Sequence, residues 1–558
     1  RTTLLGDMIN SDPYFVGAPP FAYNFGDYFA YRQAKLNRTG VVYIGGNDGM
    51  LHGFRTTDGV ELMAYVPSPV IKNLYKLTDP AYSHEFFVDA SPTSGDVQVP
   101  GNDPSSTTWR TVLVGGLRSG GQGVYALDVS DPDSFSKDDV LWEFTDADDP
   151  DLGYTYSQPS IVRVKHGSTT KWAAVLGNGY NNAQNDGNVG DGESHLFILF
   201  MDGPGADNVW TEGTDYLKVS TGQGPLASPN DYSNGLSTPT VVDYGHLGAG
   251  SYGQDGIADF IYAGDLMGRM WRFEPGASQW EVSYSTSPLF TAVSRDADGG
   301  DPQPITAKPD VAVDRVTPNK PYNVLVYFGT GRYLYAGDND PTTQTETQTF
   351  YAIRDSVNPA DVPTLPYTRS DMTEQKILAE VQQDGTDCDE TGNCFRVTAD
   401  STRLDDMGWY MDLVNQGETP LAHDGERQIS NPIVRGKRVI FTTLIPSKDP
   451  CTFGGTGWLM EVDSATGQRL SHSPFDLNDD RQFNDDDEVT SDHTCSNDDY
   501  ASSGSRSNVG IIPRPTILGV AGEDYEIKFT AGSTGQIEST VESTSGRFGR
   551  LSWRELRQ

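Results

Sequence analysis

Ser157–Val164 reads SQPSIVRV and Ser237–Tyr244 reads STPTVVDY: a proline, then a short alternation of β-branched and polar residues. Proline has no backbone N–H and a fixed φ, so in a sheet it belongs at the head of a strand rather than within it. The same segment recurs as SDPYFVG at Pro13, ASPTSGDV at Pro92, AKPDVAVD at Pro309, SNPIVRGK at Pro432 and PRPTILGV at Pro515. Behind each proline lies further strand-like sequence closed by Gly, Asn or Asp, for example VVYIGGNDGMLHGF (41–54), TVLVGGLRSGGQGVYALDV (111–129), DFIYAGDLMGRMWRF (259–273) and YEIKFTAGSTGQI (525–537). Period-two alternation bounded by turn residues marks antiparallel strands and hairpins, and almost no segment sustains a period of 3.6.

A small antiparallel sheet repeated around a ring is a β-propeller, in which every sheet buries both faces on its neighbours. The repeat therefore predicts an all-β, seven-bladed propeller with long rim loops, forming a single domain over residues 1–558. The prolines lie 67 residues (Pro92 to Pro159) to 123 residues (Pro309 to Pro432) apart. That widest gap holds QKILAEVQQDGTDCDETGNCFRVT (375–398), which reads as an outer hairpin at about 370–400, and a second long loop, GNGYNNAQNDGNVGDGESH (177–195), interrupts the third unit. Rim loops of this length are where a propeller carries function.

With 60 Gly, 34 Pro, 23 Phe and 27 Tyr in 558 residues, the chain can build a large core and is not a disordered polymer. Forty basic against 78 acidic residues give a net charge of −38, a surface that repels phosphate and excludes nucleic acid and anionic membranes as partners while favouring cations. No apolar run reaches the roughly 20 residues of a spanning helix, and the opening RTTLLGDMINSD lacks the layout of a secretion signal, as in a mature or trimmed chain. Four cysteines permit three pairings; a local Cys388–Cys394 bridge with Cys451–Cys495 is the cheapest and implies an oxidising compartment.

The acidic stretch DLNDDRQFNDDDEV (476–489) follows the twelve-residue calcium loop: Asp476 at position 1, Asn478 at 3, Asp480 at 5, the Gln482 carbonyl at 7, Asn484 at 9 and Asp487 at 12. Phe483 supplies the apolar anchor at position 8, and Arg481 replaces the glycine of position 6. Oxygen donors without His or Cys select Ca2+ over zinc or copper. A weaker second site is GQDGIADFIYAGD, where Asp255, the Ile257 carbonyl and Asp259 match, positions 1 and 3 are Ser251 and Gly253, and Asp243 is placed to fold back as a further ligand. The Asn181–Glu193 loop has ligand types without template spacing and reads as an ordinary polar loop.

Taken together, YIGGNDGMLHGF, DGIADFIYAGDLMGRMWRF, VYFGTGRYL, DPCTFGGTGWLMEVD followed by the acidic loop, and the terminal GRLSWREL resemble the C-terminal domain of the PilY/PilC type IV pilus-tip proteins. What the resemblance implies is a calcium-binding propeller acting as an adhesin and pilus-biogenesis factor, extracellular at the pilus tip (fimbrium) and associated with the outer membrane or cell surface. Its implied partners are minor pilins and a host-cell or abiotic surface, with calcium governing extension against retraction and twitching motility. The family's short calcium loop is matched only at Asp255 and Asp259, and no Arg-Gly-Asp tripeptide occurs. The rival class is a calcium-containing propeller enzyme of quinoprotein type, but there is no Cys-Cys pair, and the eight histidines do not group with a G-x-S-x-G elbow. His52 in GMLHGF reads as a packed strand residue, and the chain as no enzyme.

Overall fold

The structure, a computed structural model, describes residues 5–100, 107–184, 186–224, 233–244, 255–295, 300–314, 323–342, 346–356, 365–388, 393–401, 407–417, 421, 423–491, 498–520 and 523–544. Each of the seven prolines stands directly before the first strand of an antiparallel run, the strands opening at Tyr14, Thr93, Ser160, Thr240, Asp310, Ile433 and Thr516. The chain divides into two compact units, one of Arg1–Asp265, Trp271–Thr286 and Ser552–Gln558, the other of Leu266–Met270 and Ser287–Leu551.

Four antiparallel sheets follow in the first part of the chain, each a run of four strands in which every strand pairs with the one that follows it in sequence, the fourth sheet carrying a fifth strand, Phe290–Thr291, on its third. The first comprises Tyr14–Val16, Val41–Gly45, Leu51–Arg55 and Glu61–Tyr65, the second Thr93–Pro100, Thr107–Gly116, Gly123–Asp128 and Val140–Thr145. The third comprises Ser160–His166, Thr169–Gly177, His195–Phe200 and Tyr216–Ser220, the fourth Thr240–Val242, Phe260–Gly264, Arg269–Pro275 and Trp280–Val282. Successive residues of a strand serve opposite faces, and here both faces are apolar. In the second sheet Val112 and Val114 pack with Phe197 and Leu199 of the third, while Leu113 between them packs with Val41 and Tyr43 of the first. In the third sheet Trp172, Ala174 and Leu176 face the second, and Ala173 and Val175 face Ile261 and Phe273 of the fourth. This sheet-on-sheet stacking is propeller packing.

The second unit departs from that pattern. Its main sheet is a continuous run of ten strands in the order Asp310–Val313, Asn323–Gly329, Thr349–Ser356, Gly408–Asn415, Thr373–Val381, Phe395–Thr398, Gly504–Arg506, Trp458–Asp463, Arg438–Thr442 and Ile433–Arg435. Its two wings fold onto one another: the rings of Phe350 and Phe441 stack with centroids 3.9 Å apart, and both Tyr327 Oη and Trp409 Nε1 donate to the Ser464 carbonyl. The edges also meet, since Val434 N–H donates to Asp310 Oδ2 at 2.8 Å, so the sheet is nearly closed into a barrel. Beside it lie a three-stranded sheet, Thr516–Gly519, Tyr525–Ala531 and Ile537–Ser543, and two two-stranded ribbons, Ile445–Pro446 with Gly455–Thr456 and Val489–Ser491 with Asp498–Tyr500. The seven strand starts are thus present, but seven separate sheets are not, and seven blades cannot be counted from them.

The predicted hairpin exists: Thr373–Val381 pairs antiparallel with Phe395–Thr398, and Cys388 and Cys394 are bonded. It is not peripheral. Its first strand runs parallel to Gly408–Asn415 and its second pairs with Gly504–Arg506, so the hairpin links the wings of the ten-stranded sheet. Local sequence signals turns and alternation but not a parallel partner some 35 residues away. The second predicted bridge, Cys451–Cys495, is not formed: Cys451 carries a free, exposed thiol in the turn Pro450–Thr452, held there by Asp449 Oδ1 accepting its N–H at 2.9 Å. Cys495 itself lies outside the described residues.

Candidate metal centre

The acidic loop is anchored at both ends in the second unit. At its start Phe475 is buried and Leu477 half-buried in apolar clusters and Asp476 N–H donates to the Val541 carbonyl, and at its end Val489 is fully buried. Between these anchors the side chains bind the loop's own backbone. Asp476 accepts from the N–H groups of Asp480 (3.1 Å) and Arg481 (2.9 Å), Asn478 Oδ1 from Asp480 (2.9 Å), and Asp480 Oδ1 from Gln482 (2.7 Å). Asn484 caps a short 3-10 turn over Asp485–Asp487, accepting from Asp486 N–H at 2.8 Å. Arg481, where the calcium template has glycine, has φ +60°, so the left-handed turn is made despite its side chain.

Asp487 is the buried member. Its two oxygens accept from Leu477 N–H (2.8 Å) and Asn484 N–H (3.2 Å), and burial, with Asp476 nearby, pushes its carboxyl above the usual range. A carboxylate that accepts one N–H per oxygen keeps lone pairs for a cation. The donor set and backbone therefore fit a hard cation, yet the carboxylate oxygens of Asp476, Asp480 and Asp487 do not converge within 4.8 Å of one another, so binding one ion requires a side chain to turn inward.

In the weaker loop, Gly256 has φ +75°, as position 6 demands, and its N–H donates to Asp243 Oδ2 at 2.9 Å. Asp243 thus reaches the loop through this one hydrogen bond. Asp255 Oδ1 accepts from Ile257 N–H at 2.9 Å, and Asp259 Oδ2 from Tyr244 N–H at 2.8 Å. Ser251 and Gly253 lie outside the described residues.

Among the described residues, the side chains that do converge within 4.8 Å are two other groups, Asp151 with Asp191 and His195, and His472 with Asp485 and Glu488. The second is exposed beside the acidic loop, with His472 Nδ1 3.7 Å from Asp485. Neither follows a sequence template; only the histidine within the 177–195 loop marks the first. His52 is a packed strand residue as expected, Nδ1 within 2.5 Å of Glu61 and Nε2 3.2 Å from Asp48.

Stacked antiparallel sheets that bury both faces on their neighbours, with acid-lined loops between their strands, define a protein of the β-propeller class. The model of the PilY1 beta-propeller domain matches residues 5–386, and the chain belongs to that family. It is 34% identical over 516 residues to the type IV pilus biogenesis factor PilY1 of Pseudomonas aeruginosa, covering 86% of this chain and 40% of the relative. A PilY1 homologue of Xylella fastidiosa is 32% identical over 565 residues, covering 100% of this chain and 39% of the relative. The chain thus spans about two fifths of these relatives. The crystal structure of the P. aeruginosa PilY1 C-terminal domain superposes with a TM-score of 0.70 at 27% identity, covering 96% of this chain and 99% of that one. These relatives are named as pilus biogenesis factors and not as enzymes, which sets the quinoprotein alternative aside. Among the described residues no helix is long and apolar enough to cross a membrane.

Proposed function

We propose that this chain is the propeller region of a type IV pilus biogenesis factor, acting outside the cell at the pilus tip, where it meets minor pilins on one side and a host-cell or abiotic surface on the other. The observation that carries this reading is the family match over residues 5–386, from which pilus biogenesis follows by kinship. Calcium binding is the finer part of the proposal. Asp476, Asn478, Asp480, the Gln482 carbonyl, Asn484 and Asp487 would hold one ion, and Asp255, the Ile257 carbonyl and Asp259, with Asp243, a second. Calcium at either loop supplies fixed positive charge to carboxylates that otherwise repel, and so biases extension against retraction and adhesion to surfaces. The all-oxygen donors and the left-handed backbone at Arg481 support this.

The test is genetic. Deleting the gene in its own host should remove surface pili and twitching; complementation with the Asp480→Ala variant should restore pili while changing how twitching responds to calcium. Unchanged piliation on deletion sinks the biogenesis reading. A parental calcium response in the Asp480→Ala strain sinks the acidic loop's role, and Asp259→Ala then asks the same of the other loop.

A further inference from the structure

The 177–195 loop of the third sheet does more than fill space. His195, the first residue of the strand His195–Phe200, is 2% exposed, and its Nε2 lies 3.0 and 3.1 Å from the two oxygens of Asp191 and 3.8 Å from Asp151 Oδ2. Asp151 reaches this point from the preceding segment, 40 residues away in sequence, and its Oδ1 accepts the N–H of Asp191 at 2.9 Å. The charges do not cancel. Asp149, Asp151 and Asp191 carry three negative charges, and the ammonium facing them is that of Lys218, 3.0 Å from Asp149 and 2.7 Å from Asp151.

Asn182 points to what is missing. It is fully buried, its Nδ2 only grazes Asp191 Oδ1 and the Glu193 carbonyl, both at 3.5 Å, and its Oδ1 has no partner. A buried amide oxygen without a partner costs roughly 1–3 kcal/mol. Turning the amide over, which side-chain density alone rarely distinguishes, would aim Oδ1 at those same two oxygens, an arrangement favoured only with a cation between them. His195 Nε2 donates to the Asp191 carboxylate as the groups stand, but Nδ1 has no partner, so the proton can move there and leave the Nε2 lone pair to a metal.

We infer that Asp151, Asp191, His195 and Asn182 form a binding site for one first-row divalent cation, of the Zn2+ or Mn2+ kind, distinct from the oxygen-only loops proposed for calcium. One imidazole nitrogen among carboxylate and amide oxygens is the donor set of such ions. The ion would offset the two surplus negative charges and pin the 177–195 loop to the head of its strand.

The experiment uses the whole chain, treated with chelator and then saturated with calcium so that oxygen-only sites are filled. Titrated with Zn2+ by calorimetry, it should bind one equivalent saturably; Asp191→Asn, a substitution at an exposed position, should weaken that binding by at least about tenfold, and His472→Gln should not. Histidine NMR of the unmutated chain provides a readout that does not depend on variants folding, since Zn2+ should shift His195 among the eight imidazoles. Unchanged affinity in Asp191→Asn, loss confined to His472→Gln, or a titration that leaves the His195 resonances in place overturns the inference.

Discussion

Arg481 holds a backbone conformation that glycine adopts freely, with its guanidinium 5.5 Å from the ring of Tyr525. Arg481→Gly should raise stability by about 1 kcal/mol through relieved backbone strain, less what the exposed ring contact contributes. It also removes a positive charge from the proposed calcium loop, so calorimetry should show tighter calcium binding; weaker binding would mean that Arg481 organises the loop. His52 makes a different residue-level prediction. Its hydrogen bond to Asp48, then that to Glu61, raises the imidazole pKa against the opposing effect of burial. A histidine whose folded pKa is raised contributes stability that is complete below its unfolded value near 6.5 and is lost as pH rises through the folded value. His52→Asn should therefore cost about 2 kcal/mol at pH 6 and clearly less at pH 9, read by urea unfolding of both proteins at each pH. An equal cost at both pH values would show that packing, not charge, is what His52 supplies.

At the scale of elements, the hairpin is held both by its disulfide and by the sheet it joins. The Cys388–Cys394 bridge closes a loop of about seven residues, for which chain entropy gives about 2 kcal/mol. Cys394→Ser should lower stability by up to that amount and speed amide exchange in Thr373–Val381; unchanged exchange would show that the sheet alone holds the strand. Under native conditions a maleimide should modify Cys451, located by peptide mapping, and protection of Cys451 would restore the bridge to Cys495. The strand heads were legible because proline carries its geometry wherever it stands, as Pro159 before Ser160 and Pro239 before Thr240 show. The left-handed turn at Arg481 was legible for the same reason, since it falls at the position where the loop template has glycine. The hairpin's parallel partner was not, nor was the approach of Asp151 to His195, because both join residues far apart in sequence, through pairings that no local spacing encodes. Template spacing made the Asn181–Glu193 loop look inert, since two members of the group it joins, Asp151 and His195, lie outside it.

For the molecule as a whole, a net charge of −38 means that any divalent cation screens repulsion, so a calcium effect must be separated from ionic strength. At constant ionic strength, calcium at 100 times its dissociation constant should stabilise by about 2.7 kcal/mol, a rise in Tm of several degrees that magnesium should not match. Asp480→Ala should remove most of the rise if the acidic loop is the site. An undiminished rise in that variant would move the stabilising ion to Asp255 and Asp259. The ten-stranded sheet bears on another property, resistance to pulling. In an antiparallel hairpin drawn apart by its ends, the load falls on one rung at a time and the pair unzips. Thr373–Val381 and Gly408–Asn415 are parallel, so tension entering before Thr373 and leaving after Asn415 acts on opposite ends of the ladder and is shared by all its rungs at once. A chain stretched across this point meets a clamp where a simple meander would offer a zipper.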